Sequence, residues 1–220
     1  MKAKMILSLL IGMMPLNALR VFLYRKLMGY KIGEGTSIGP LNLFCVSEVE
    51  IGRNVKIGGL NLIKGPIRFE IGDNCWIGRS NTINASWSVA DERFKDRAYG
   101  TVFKLGRDCV IQHNHYFDVY GRFLVGDRSW IVGRGSQFWT HGLSVTDRDI
   151  VIGDGNCITS AVRFAPGAQL GDENIVSMGA VVLSKINEDY KIISGYPAKA
   201  VKDIQEDKAN GKYHFTMKDW

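Results

Sequence analysis

The sequence predicts an all-β protein, a parallel β-helix of about seven coils. Two observations predict this class. An aliphatic residue followed by glycine recurs along the chain, and a second large residue follows it six positions later. Glycine is frequent, at 25 of 220 residues, whereas proline occurs only 5 times. A six-residue period fits neither an amphipathic helix nor simple strand alternation, but it fits a short strand followed by a corner that glycine can turn.

Residues 1–30 form a hydrophobic, basic segment that we expect to be helical and broken at Pro15. The apolar stretch 5–14 is shorter than the ~20 residues that a spanning helix needs. Two lysines followed by this apolar stretch are also typical of a signal peptide, but no clear cleavage site follows. The alternatives are a signal sequence, a helix lying peripherally on the inner face of an anionic membrane, or a cap on the hydrophobic core.

Residues 31–204 contain the repeats. Three hexads make one unit, and the fifth unit places its third ladder position at Gln137. The extra residues form loops 84–104 and 142–151, which both follow a third hexad and should therefore leave the same corner. Residues 205–220 form a C-terminal tail. The seven units begin at Ile32, Ile51, Ile71, Leu105, Val125, Ile152 and Leu170.

Composition and charge exclude several classes. The chain is 45% hydrophobic and 23% charged, which is typical of a globular domain and not of a disordered one. Six basic residues precede the first acidic residue, Glu34, and they equal the whole net charge of +6. The rest of the chain is formally neutral, so we expect no nucleic-acid partner. The 4 cysteines form no CxxC pair, so the sequence contains neither a zinc ribbon nor a thioredoxin motif. A chain of this length without another secretory feature is not expected to carry a disulfide framework, which favours reduced thiols and a cytoplasmic location.

The repeats resemble those of the hexapeptide-repeat acyltransferase family. The most specific parts are IVIGDGNCITSAVRFAPGAQLGDENIVSMGAVVLSKI, at 150–186, and ISGYPAKAVK, at 193–202, which are similar to the terminal coils of the sugar O-acetyltransferases. The resemblance implies a left-handed β-helix, assembly as a homotrimer with active sites between chains, and acetyl-CoA as cosubstrate. Left-handedness rests on the resemblance alone, since the general rule for parallel crossovers predicts the right-handed form.

The resemblance implies that His141, which ends the segment SQFWTH, is the catalytic base. A sugar hydroxyl must lose its proton as it attacks a thioester, and imidazole accepts protons near neutral pH. The segment QHNHYFD offers a second polar cluster. Its Asp118 can orient an imidazole, and its His115 can bind the acceptor or serve as the base instead. The alternative for this cluster is a hydrogen-bonded corner without a role in catalysis.

Acceptor and cosubstrate residues are also predicted. Trp139, Asn114 and Tyr116 are the candidate acceptor-binding residues, because aromatic faces and polar groups suit a saccharide. Tyr120 and Trp87 can also stack on a sugar ring. By position in the family's motifs, the candidate residues for acetyl-CoA are Ser160, Met178, Gly179, Ser184, Lys185, Lys199 and Lys202.

The predicted function is acetyl-CoA-dependent O-acetylation of a saccharide hydroxyl in the biosynthesis of a surface polysaccharide or lipopolysaccharide. The alternatives are N-acetylation of an aminosugar nucleotide and a non-catalytic β-helical scaffold. The γ-type carbonic anhydrases share the fold and bind zinc through histidines. The spacing of His113, His115 and His141, short and then long, reverses the order of their ligands, so we expect no metal.

Overall fold

Two helices precede the repeats in the computed structural model of the protein, which describes residues 2–97, 99–142 and 145–213. Helix α1 spans Lys2–Gly12, and α2 spans Asn17–Met28, with Pro15 in the break between them. Residues 214–220 of the C-terminal tail, which include His214, lie outside the described residues.

The first three coils follow directly. Most of their strands are two residues long, because each flat side of a coil holds little more than one inward side chain. The strands are β1 (Lys31–Ile32), β2 (Ser37–Ile38), β3 (Leu43–Ile51), β4 (Lys56–Ile57), β5 (Leu62–Ile71), β6 (Trp76–Ile77) and β7 (Thr82–Asn84).

The remaining coils follow loop 84–104, which contains two short 3₁₀ helices, at Trp87–Ala90 and Glu92–Arg97. Their strands are β8 (Val102–Leu105), β9 (Val110–His113), β10 (Tyr116–Asp118), β11 (Arg122–Val125), β12 (Trp130–Arg134), β13 (Gln137–Trp139), β14 (Ile150–Ile152), β15 (Cys157–Ile158), β16 (Arg163–Phe164), β17 (Gln169–Leu170), β18 (Ile175–Val176), β19 (Val181–Val182), β20 (Lys185–Ile186), β21 (Lys191–Gly195) and β22 (Ala198–Asp203). A short helix, α3 (Gln205–Ala209), follows β22.

Strands of successive coils pair in parallel and build three faces, which confirms the predicted parallel β-helix. On the first face Ile71 pairs with Leu105, and on the second face Ile57 pairs with Ile77. The third face contains β7, β10 and β13. We call the turn from the first face to the second the first corner, the turn from second to third the second corner, and the turn from third to first the third corner.

The core lies inside the coils and contains a column of phenylalanine rings. Phe44 contacts Phe69, and Phe69 stacks on Phe103 with ring centroids 5.2 Å apart. Phe117 and Phe138 continue this packing, with centroids 4.8 Å apart. Each such ring pair contributes about 0.5–1.5 kcal/mol beyond the burial of its area.

The predicted ladder position at Gln137 is wrong by one residue. Phe138 is fully buried and pairs with Phe117, whereas Gln137 lies beside Tyr116 and is only partly buried. The register of β12 shifts after Ile131, because the corner holds an additional residue near Gly133 and Gly135. Both glycines have positive φ, at 74° and 76°, which glycine adopts without strain.

Recurring Ile-Gly pairs have a steric cause. A Cβ at Gly72 would lie 2.5 Å from the carbonyl oxygen of Gly106 in the next coil, so the coils could not stack with a larger residue there. Aspartates beside these glycines join the coils: Asp73 Oδ1 accepts from the backbone N–H of Arg53 at 2.7 Å, and Asp127 Oδ1 accepts from that of Arg107. The first corner is therefore a hydrogen-bonded column.

Residues of α1 and α2 cap the N-terminal end of the core. Tyr24 is fully buried and stacks on Tyr30, with centroids 5.7 Å apart. Arg20 is also buried, and its Nε donates to the carbonyl of Ile38. Eight large apolar side chains of this segment nevertheless remain exposed: Ile6, Leu9, Leu10, Met13, Leu16, Leu19, Phe22 and Leu27. Within the described ranges, neither α1 nor α2 nor any other helix has the length and apolarity to cross a bilayer.

Loops 84–104 and 142–151 both connect the third face to the first. The first loop begins after β7 and leads to β8, and the second begins after β13 and leads to β14. Between them, the coil of β10 makes the same turn through only Val119, Tyr120 and Gly121. The third corner is therefore a short turn flanked by two insertions.

Candidate active site

The third corner brings His141 and Asp118 together. His141 Nδ1 lies 2.6 Å from Asp118 Oδ2, and the backbone N–H of His141 donates to the same oxygen at 3.2 Å. The side chain of Asp118 is 1% exposed, whereas that of His141 is 42% exposed. The pair is thus a buried carboxylate holding a half-exposed imidazole.

Burial and the contact with His141 have opposite effects on the pKa of the Asp118 carboxyl group. Loss of hydration raises the pKa of Asp118, and the hydrogen bonds and charge of His141 oppose this effect. An ionised carboxylate only accepts hydrogen bonds, so Nδ1 of a neutral His141 carries the proton that it donates to Asp118. The lone pair of the other nitrogen, Nε2, is then free, and Nε2 makes no hydrogen bond to a described residue.

Thr140 fixes the turn on which this pair depends. The backbone N–H groups of Tyr120 and Gly121 donate to Thr140 Oγ1, at 2.8 and 2.9 Å. Thr140 Oγ1 in turn donates to the carbonyl of Asp118 at 2.5 Å. Thr140 therefore joins its coil to the backbone of Asp118 and of two residues that follow it, which holds Asp118 opposite His141.

Aromatic residues line the approach to His141. The ring of Tyr120 lies 4.1 Å from the imidazole, centroid to centroid, and Tyr99 of loop 84–104 contacts Tyr120. Arg148 of loop 142–151 places its guanidinium 4.6 Å from the centroid of Tyr99. Both loops thus contribute side chains to the surroundings of His141.

The outer side of the third face adds two of the predicted acceptor residues. Tyr116 and Trp139 lie against each other with ring centroids 4.8 Å apart, and Trp139 is 36% exposed. Tyr116 is on the same side of β10 as Asp118. Burial raises the pKa of Tyr116, and the charge of Asp118 adds to the effect, whereas a hydrogen bond with Asn84 opposes it. Tyr116, Trp139 and His141 thus lie along one outer surface, and the buried Asp118 contacts it through His141.

The structure does not bring His115 into this surface. It lies at the second corner and is 1% exposed. There it continues a column of side chains that accept from the backbone of the next coil: the N–H of Asn81 donates to Asn61, that of His115 to Asn81, and that of Ser136 to His115 Nδ1. Burial, followed by the charge of His113, lowers the pKa of His115 to about 4. His115 is therefore a neutral residue of a structural column, with Nε2 buried and without a partner in the described chain.

Asn114 also lies at the second corner, away from His141. Its φ is 57°, and its backbone N–H donates to the carbonyl of Arg79. Asparagine tolerates this left-handed conformation better than most residues, so the turn alone accounts for it. Its role in acceptor binding stays a prediction, because on one protomer Asn114 and His141 lie at different corners.

The predicted acetyl-CoA residues lie at three places on the protomer. Ser160, Met178 and Gly179 are stacked at the second corner, where the N–H of Gly179 donates to the carbonyl of Ser160. Ser184 and Lys185 lie at the third corner, and Lys185 forms an ion pair with Asp147 at 3.0 Å. Lys199 and Lys202 lie on β22, which pairs antiparallel with β21 at the edge of the second face. On one protomer these positions therefore lie on different parts of the β-helix.

The three histidines considered as metal ligands do not lie at one corner. His113 Nδ1 accepts from the backbone N–H of Arg79 at the second corner, while His141 lies at the third. Within 2–97, 99–142 and 145–213, no group of three or more His, Cys, Asp or Glu residues is arranged to hold a metal ion.

Sequence reasoning missed Tyr99, Thr140 and Arg148. Thr140 carried a usable signal, because it directly precedes the histidine of the SQFWTH segment. Tyr99 and Arg148 carried none, since they belong to insertions without a repeat. Their proximity depends on how two loops, separated by a full coil, fold against one corner.

Comparisons with known proteins support the architecture. The sequence matches no family model and no curated protein. Among solved structures, LpxA from Acinetobacter baumannii superposes with a TM-score of 0.62 at 16% identity, over 83% of this chain and 66% of LpxA. The chain thus spans about two thirds of the length of that protein.

Two other structures are similar at lower TM-scores. PerB from Caulobacter crescentus, solved with CoA and GDP-perosamine, gives 0.47 at 19% identity, over 87% of this chain and 67% of its own. The hexapeptide-repeat-containing acetyltransferase VCA0836 from Vibrio cholerae gives 0.47 at 19% identity, over 93% and 90%. The predicted fold class is confirmed by the coil geometry and by the similarity to LpxA. The chain has the left-handed parallel β-helix fold of the hexapeptide-repeat acyltransferases.

Proposed function

We propose that the protein transfers an acetyl group from acetyl-CoA to a saccharide hydroxyl, with His141 as general base and Asp118 as its positioning residue. The contact that carries the proposal is the 2.6 Å approach of His141 Nδ1 to Asp118 Oδ2. A buried carboxylate that orients a half-exposed imidazole is an arrangement that suits general base catalysis.

The proton path follows from this geometry. Asp118 keeps the proton on Nδ1, so Nε2 accepts the proton of the acceptor hydroxyl as its oxygen attacks. The bond from oxygen to the acetyl carbon forms, and the bond from that carbon to sulfur breaks. His141 returns the proton to the departing thiolate of CoA. The Asp118 carboxylate stabilises the imidazolium between these two transfers.

Acetyl-CoA is proposed as the cosubstrate because residues 150–202 resemble the sugar O-acetyltransferases. It supplies the acetyl group as an activated thioester. Lys185 at the third corner and Ser160 at the second are separated on one protomer, and His141 lies on an open corner. We therefore propose a homotrimer in which a neighbouring chain completes each site.

N-acetylation is the second candidate reaction. One of the similar structures, AntD from Bacillus cereus, is described as an N-acyltransferase, and the same base would serve an amine. An aminosugar nucleotide would be the acceptor in that case. A non-catalytic scaffold predicts neither CoA release nor CoA binding.

Release of CoA thiol from acetyl-CoA, measured with a panel of neutral, amino and anionic sugars, tests the proposal. His141→Ala should lower the rate about 10²–10⁴-fold, the contribution typical of a positioned base. His115→Asn is the matched control, because asparagine occupies the same column position at Asn81 and Asn61. An unchanged rate in His141→Ala, or an equal loss in both variants, contradicts the assignment.

A further inference from the structure

Arg148 is a buried cation that has no counter-ion among the described residues. It is 6% exposed, and its one hydrogen bond to a described residue runs from Nε to the carbonyl of Thr146, at 3.5 Å. No ion pair joins it to a carboxylate of the described chain. Its two acidic neighbours in sequence bind other cations: Asp149 binds Arg122 at 2.7 Å, and Asp147 binds Lys185 at 3.0 Å.

A buried guanidinium needs other groups to replace the water that it has lost. Removing a guanidinium from water is unfavourable unless an anion or a set of hydrogen bonds replaces its hydration. The face of Tyr99, 4.6 Å from Cζ, attracts the cation from one side only. The terminal nitrogens of the fork donate to no described residue, which leaves their N–H groups available for an external acceptor.

Arg148 lies near the candidate base. A Cβ at Gly121 would meet Arg148 Cγ at 2.5 Å, so the stem of the arginine crosses the backbone directly after Tyr120. Tyr120 is in ring contact with both His141 and Tyr99. The guanidinium therefore shares one aromatic wall with the imidazole.

From this placement we infer that Arg148 binds an oxyanion of the acceptor, so that the acceptor is an anionic saccharide. The shared chemistry is that of a carboxylate or phosphate group, whose paired oxygens match the guanidinium fork. The sugar ring would lie along Tyr99 and Tyr120, with its charged group on Arg148 and a hydroxyl at His141. This inference rests on the proposed function, since it identifies the class of acceptor for that reaction.

Equilibrium binding without acetyl-CoA tests the inference separately from catalysis. Isothermal titration compares N-acetylglucosamine with its 1-phosphate, and glucose with glucuronate, on the full chain. Wild type should bind at least one anionic sugar about tenfold to hundredfold more tightly than its neutral parent, the range expected for hydrogen bonds to a charged group. The two pairs distinguish a phosphate from a carboxylate.

Arg148→Gln should abolish this preference and leave binding of the neutral sugar unchanged. Gly121→Ala should weaken the preference while keeping the charge, because its methyl group displaces the arginine stem. Arg53→Gln is the matched control: Arg53 is an exposed arginine at the first corner, paired with Asp73. Arg148→Lys, which keeps the charge, extends the test if the glutamine variant does not fold.

Two results would overturn the inference. One is the absence of any anionic preference in wild type, and the other is an unchanged preference in Arg148→Gln. Loss of CoA affinity in Arg148→Gln, with sugar binding intact, also overturns it by assigning the arginine to the cosubstrate. A failure of the proposed function appears elsewhere, as unchanged acetyl transfer in His141→Ala.

Discussion

Replacing Asp118 with asparagine separates the catalytic use of this carboxylate from its contribution to stability. Both hydrogen bonds to the carboxylate end on one oxygen, Oδ2, which accepts from His141 Nδ1 and from the backbone of His141. An asparagine oxygen can accept both. Asp118→Asn therefore removes the charge while keeping the local hydrogen bonds of the turn.

The stability effect has a defined sign. Burial raises the pKa of Asp118 above its ordinary value of 3.8, so the folded chain holds this proton more tightly than the unfolded chain does. The free energy of unfolding then falls as pH rises from about 3.8 through the raised pKa. Above that window the charged carboxylate is a net cost, which the uncharged asparagine avoids. We expect the Tm of Asp118→Asn at pH 7 to equal or exceed that of wild type.

The activity effect has the opposite sign. A charge-assisted hydrogen bond contributes about 1.5–3 kcal/mol, and Asp118 makes its bond strongest when His141 becomes imidazolium. Losing it should lower kcat/KM about tenfold to hundredfold. The effect should not add to that of His141→Ala, because the carboxylate acts only through the imidazole.

Two measurements decide the matter: CoA thiol release for the single and double variants, and thermal unfolding between pH 4 and pH 7. A Tm lowered by more than about 2–4 °C, equivalent to about 1 kcal/mol in a chain of this size, would show that Asp118 mainly stabilises the fold. Full activity in Asp118→Asn would refute its role in orienting the base.

Two further predictions concern other parts of the chain. The pKa of His115 is lowered from 6.5 to about 4 by burial, so the unfolded chain takes up a proton first and stability falls by about 3 kcal/mol as pH drops through this window. His115→Asn should flatten that slope in pH-dependent denaturant unfolding, and an unchanged slope would contradict the assignment. The full chain should float with vesicles that contain anionic lipid, and the exchange of Leu9 and Phe22 for serine should reduce flotation, because both are about half exposed on α1 and α2. Leu60→Ser, which alters an equally exposed leucine on a corner of the β-helix, should leave flotation intact, and equal losses would exclude the helices as the membrane-binding surface.

The fold was predictable because every coil repeats the same physical requirement. Each ladder residue packs against the coils above and below, and each glycine permits a close backbone approach that a side chain would block. The error at Gln137 arose where the requirement changes. The corner near Gly133 holds one additional residue, so Phe138 and not Gln137 points inward. A prediction that assumes a constant period of six does not detect this residue, which lies in a turn of glycines with positive φ.

The candidate site was predictable only in part, for a related reason. Asp118 is the last residue of the third-face strand β10, and His141 follows the paired strand β13 of the next coil, so their proximity is a consequence of the repeat. His115 belongs to the same coil as Asp118, but it lies at the second corner, because strand β10 separates the second corner from the third. Loop residues such as Arg148 follow no period, so only folding reveals that they lie beside Tyr99.

The position of the six surplus cations in residues 1–33 suggests that they bind a membrane, but half of them bind the protein itself. Arg20 donates to the carbonyls of Ile38 and Pro15, Arg25 to that of Ile32, and Lys4 to that of Val46. These bonds hold the helices on the end of the β-helix and direct half of the six cations toward the protein. We therefore expect the exposed apolar side chains of α1 and α2 to supply most of the attraction to a vesicle. Vesicle binding should consequently persist when salt screens the remaining charges, whereas binding dominated by lysine and arginine would be lost.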